Sequence, residues 1–138
     1  MKAWIWVASM IGTLCWMGSS MQSQGFQPSA PVFSWTQSGG EEKHCDKLAI
    51  SSTGEVHTMT CNSGNTGRNA RLATADLTRL QRWRETFGNV SFEFKRLPDR
   101  GGALVSLSMK GVGDAAPSEA DRQEMLQWAE SIYQSTVS

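Results

Sequence analysis

Apolar and polar residues alternate singly along several stretches of the chain and recur at three- and four-residue steps along two others, so both strands and helices are expected. Phe33, Trp35 and Gln37 lie on one side of a first strand, with Val32, Ser34 and Thr36 on the other. The most informative segment runs from Ser38 to Cys61. There Ser52-Thr53-Gly54 reads as a three-residue turn with Gly54 left-handed, flanked by strands that pair Ser51 with Glu55 and Cys45 with Cys61. That register places Leu48, Ile50, Val56 and Thr58 on a buried face. Cys45, Lys47, Ala49, Glu55, His57, Met59 and Cys61 fall on the opposite face.

The polar stretch Asn62 to Asn69, dense in turn formers, reads as an exposed loop. A helix follows, with Thr74 as its N-cap and Asp76 near its positive end. Leu77, Leu80, Trp83, Arg84 and Phe87 recur at helical steps before Gly88, and Leu77, Leu80 and Phe87 form the expected buried stripe. Val90, Phe92 and Phe94 alternate in a further strand, Pro98 to Gly102 turns the chain, and Ala103, Val105, Leu107 and Met109 form the partner strand. Gly111 to Ala116 reads as a loop, after which Ser118 and Asp121 form a capping box. The last helix carries Met125, Ala129, Ile132 and Tyr133 on its apolar stripe, with Leu126 and Trp128 at the edges. The expected class is α+β, in the order βββαββα. An antiparallel sheet of about five strands with two helices on one face buries these stripes together.

The N-terminus changes the picture of where this domain works. Met1-Lys2 precedes sixteen residues without a charge, Ala3 to Gly18, a run too short to span a bilayer comfortably and suited to a signal-peptide core. Residues 1–20 are therefore read as a secretory signal, 21–31 as a Ser/Gln/Gly/Pro spacer and 32–138 as a single domain. Lipidation at Cys15 and an uncleaved membrane anchor are the alternatives, and any membrane contact would run through this leader. Three cysteines become an even pair once Cys15 is discounted, and in an oxidising compartment Cys45 and Cys61 are expected to form a disulfide rather than two buried thiols. Thirteen basic and thirteen acidic residues give no net charge, so no basic field marks a nucleic-acid partner.

Candidate chemistry is sparse. His44 and His57 are the two histidines, and the hairpin register points them to opposite faces. His44 and Asp46 share a face and could make an oriented base, but no nucleophile or pocket is marked beside them. A thiol nucleophile at Cys45 would be consumed by the disulfide. The two hairpin cysteines have no second pair for structural zinc, the acidic residues follow no calcium-loop pattern, and Gly111-Val112-Gly113 lacks the setting of a dinucleotide site. The reading is of a non-enzyme without a cofactor or metal.

A strand ending in Ser38-Gly39-Gly40, a short loop, the Cys45 strand with its Gly54 turn, Cys61 and then a Leu-rich helix resembles small exported bacterial proteins related to emfourin, the inhibitor of thermolysin-like metallopeptidases. The likeness covers about Phe33 to Phe87. It implies a secreted or periplasmic binding module whose partner is an extracellular metallopeptidase. The resemblance carries partner binding over to Ser38, Gly39 and Gly40; after them this chain has Glu41-Glu42-Lys43-His44 where the family has an apolar residue and Ala-Gly, and Glu41 and Glu42 of the same loop are added as partner-binding residues, either able to approach a catalytic zinc. The competing expectation is a cell-envelope structural or interaction protein without inhibitory activity.

Overall fold

The computed structural model describes residues 30–61, 66–96 and 101–138. The leader with Cys15, the spacer up to Ser29, and the turn residues 62–65 and 97–100 lie outside the described residues. The elements are β1 (Pro31–Gly39), β2 (His44–Ser51), β3 (Glu55–Thr60), β4 (Thr66–Arg71), α1 (Thr74–Thr86), β5 (Val90–Lys95), β6 (Leu104–Met109) and α2 (Glu119–Val137). The six strands form one antiparallel sheet in the order β4-β3-β2-β1-β6-β5, which confirms the α+β class and raises the expected strand number by one.

The hairpin β2–β3 has the expected register, with Ile50 opposite Val56 and Asp46 opposite Thr60. Gly54 at its turn has φ +89°, and its N–H donates to Ser51 O at 3.1 Å. Leu48, Ile50, Val56 and Thr58 are buried. Each aliphatic side chain so buried stabilises the fold by about 1.5–3 kcal/mol. The same face continues across the sheet through Phe33 and Trp35 on β1 and Val105, Leu107 and Met109 on β6.

Both helices cover this face. Trp128 of α2 meets Phe33 and α1 Trp83 edge-on, with ring centroids 5.2 Å apart in each case, and its Nε1–H donates to Asp76 at 2.9 Å. That hydrogen bond satisfies the polar tip of a buried indole and ties α2 to the first turn of α1. The capping box of α2 is present: Asp121 N–H donates to Ser118 Oγ, and Ser118 N–H returns to Asp121 Oδ2. The Ser118 N–H, and next the Ser118 hydroxyl, both donating to Asp121 Oδ2 at 2.8 Å, hold the Asp121 carboxyl below its ordinary range.

Three expectations need correction. Thr66 to Arg71 is a strand rather than loop, paired along β3 from Thr66 opposite Thr60 to Arg71 opposite Glu55. All six residues are exposed, so no apolar alternation betrays it; the outer edge of β3 supplies the backbone partners. The N-cap of α1 is Ala73, without a side-chain cap, and Thr74 is already helical. Within the α1 stripe Trp83 is buried and Leu77 is only partly so, because Trp83 packs on Trp128.

Candidate partner-binding site

The segment between β1 and β2 sits at one end of the two central strands of the sheet. β1 is hydrogen-bonded to β2 on one side and β6 on the other, and pairing with β2 continues to Gly39 opposite His44. The chain then reverses over Gly40 to Lys43, closed by Lys43 N–H donating to Gly40 O at 3.1 Å. The reversal needs left-handed backbone: φ is +77° at Gly39, +81° at Gly40 and +50° at Lys43. At Gly40 the need is doubled, because a Cβ there would stand 2.9 Å from Ala103 N. The tip is therefore braced against Ala103, the residue that leads into β6.

Of the five residues expected to bind a partner, Ser38, Gly39, Glu41 and Glu42 are exposed and Gly40 is half-buried against its brace. They lie together on this one tip. Beside it a cleft of about 270 Å³ opens between the β1–β2 and β5–β6 turns, lined by Gln37, Glu41, Glu42, His44, Arg96 and Gly102 among others. Arg96 is paired with Glu130 of α2 and lies 5.9 Å from the Phe94 ring centroid, so its charge is committed within the fold.

A chain of polar contacts runs from this tip to the core. Glu42 Oε2 lies 3.1 Å from His44 Nε2, and His44 Nδ1 lies 3.3 Å from Asp46 Oδ2. The other oxygen of Asp46 accepts the Tyr133 hydroxyl of α2 at 2.8 Å. Burial first, and then the Asp46 carboxylate, push the Tyr133 hydroxyl up to about 12. The His44 and Asp46 pairing legible at two-residue spacing thus exists. Its third member, Tyr133, comes from 87 residues away and was read only as part of an apolar stripe. His44 thus stands between two carboxylates, Glu42 at Nε2 and Asp46 at Nδ1.

On the other face of β2, at the same end, Cys45 and Cys61 stand at disulfide distance, with Cα atoms 5.3 Å apart, and Cys61 N–H donates to Cys45 O at 3.0 Å. This is the cross-strand position that the register required. Among the described residues no three or more His, Cys, Asp or Glu side chains are placed to hold a metal ion. No described helix is long and apolar enough to cross a membrane.

Fold and site together describe an α+β domain that displays a braced acidic hairpin tip. No protein-family model matches the chain, and no curated protein and no solved structure matches it.

Proposed function

We propose that this chain is an exported binding module that docks a protein partner through Ser38 to Glu42, and that the partner is a thermolysin-like metallopeptidase, which it inhibits. The observation that carries the reading is the construction of the tip: an exposed acidic turn, braced at Gly40 by Ala103, on a strand pair whose outer member is linked at Cys45 to Cys61. A loop held in one shape before docking forgoes the roughly 0.5–1.5 kcal/mol per side chain that a mobile one loses on ordering. An interface of standard size needs only about 800 Å² per partner. Glu42, with its side chain 82% exposed, and Glu41 supply carboxylate oxygens of the kind zinc accepts. The cysteine pair is compatible with an oxidising, extracytoplasmic location.

The test is a thermolysin cleavage assay titrated with the purified protein. Activity falls with added protein on this reading, and the Glu41→Ala/Glu42→Ala variant inhibits less while melting at the same temperature. Peptidase activity unchanged by excess protein removes the metallopeptidase as target.

A further inference from the structure

The two edges of the sheet are built differently. Strand β4, Thr-Gly-Arg-Asn-Ala-Arg, is wholly exposed and carries a glycine and two arginines, the composition by which natural edges avoid unwanted pairing. Strand β5, Val-Ser-Phe-Glu-Phe-Lys, has high strand propensity and contains no proline or glycine. Its six residues pair with β6 without a register shift, from Val90 opposite Met109 to Lys95 opposite Leu104. Phe92 and Phe94 on its core face are only half-buried, with Arg122 5.5 Å from the first ring centroid and Arg96 5.9 Å from the second. The two charges of β5, Glu93 and Lys95, are opposite in sign, so they do not repel a second copy of the same strand as the two arginines of β4 would.

The backbone direction follows from one bond. Arg96 N–H donates to Ala103 O at 2.9 Å, so Arg96 and the even positions of β5 direct their N–H and C=O groups to β6. The N–H and C=O groups of Ser91, Glu93 and Lys95 therefore face outward, and a partner strand would bond to them. Their side chains lie on the sheet face opposite the helices, where Glu93 has one weak internal contact, from Ser106 Oγ at 3.4 Å. Lys95 has no ion-pair partner among the described residues.

We propose that β5 is a self-association edge whose occupant is β5 of a second copy of this chain, paired antiparallel about a two-fold axis at Phe94. Charge selects the register. With the axis at Phe94, Glu93 of each copy faces Lys95 of the other in hydrogen-bonded pairs, and each pair exchanges two backbone bonds. The two Phe94 rings face each other on the core side, and Phe92 of each copy faces Arg96 of the other. Moving the axis to Glu93 would oppose two like carboxylates, and moving it to Lys95 two ammonium groups, both unfavourable. A two-fold contact of this kind closes on itself, giving a dimer instead of a fibre. Because the pairing is antiparallel, the two hairpin tips point in opposite directions.

The test is sedimentation equilibrium of the purified protein over a wide concentration range, with circular dichroism confirming that each variant is folded. The native protein is expected to show a reversible monomer–dimer equilibrium. Glu93→Lys should weaken it by about tenfold, because both cross-strand pairs become repulsive. The double swap Glu93→Lys/Lys95→Glu should restore it, since opposite charges again face each other. A protein that stays monomeric at every concentration overturns the proposal. So does a dimer indifferent to Glu93→Lys, or one that the double swap fails to restore. Thermolysin inhibition is read separately, so either result stands without the other.

Discussion

Replacing Tyr133 by phenylalanine removes one oxygen from the α2–β2 contact and leaves the ring against Trp35, whose centroid is 5.3 Å away. The lost bond is a hydroxyl donating to a carboxylate at 2.8 Å, and hydrogen bonds to charged groups contribute about 1.5–3 kcal/mol. A loss of about 2 kcal/mol lies within that range, and for a domain of this size it lowers Tm by roughly 10 °C. The pH dependence has a definite sign. The folded-state value lies above the unfolded one, so this stabilisation is fully present below pH 10 and is lost as pH rises through about 12. Tyr133 is the single tyrosine of the chain, so ultraviolet absorbance of phenolate reports it alone. Urea melts of both proteins at neutral pH give the difference in stability, and an absorbance titration gives the midpoint. A native midpoint near 10, or a Tyr133→Phe loss under about 0.5 kcal/mol, would refute the coupling of α2 to β2 through this bond.

The remaining predictions concern the hairpin and its tip. Replacing Cys45 and Cys61 together by serine opens a cross-link between residues sixteen apart, which on the chain-entropy model costs about 3 kcal/mol; equal urea midpoints for native and variant protein would contradict a formed bond. Gly39→Ala adds a Cβ in open space and should cost only its left-handed backbone, about 1–2 kcal/mol. Gly40→Ala adds the collision with Ala103 N and should cost clearly more; equal losses at the two positions would mean that the tip is not braced.

How much of this was legible depends on whether a residue's partner lies nearby in the chain. The β2–β3 register followed from local alternation and one left-handed turn at Gly54, both short-range signals. The α2 stripe and its cap were equally local, although Leu126 and Trp128, placed at the stripe's edges, are as buried as its centre. Strand β4 was illegible because none of its residues is buried and its Gly67, Asn69 and Arg68 favour turns or solvent. Its existence is decided by the free edge of β3. At the tip, the expectation for Ser38 to Glu42 came from a resemblance and from the neighbouring hairpin, and the pairing of His44 with Asp46 came from two-residue spacing. The bracing Ala103 and the anchoring Tyr133 could not be foreseen, since only the assembled sheet and α2 bring them there.

Amide hydrogen exchange along the whole chain, with and without the metallopeptidase at saturating concentration, tests recognition by the tip most directly. New protection concentrated between Ser38 and His44, with α1 and the β2–β3 turn unchanged, is the result expected. Unaltered exchange at the tip, or protection confined to any other part of the domain, would contradict the account.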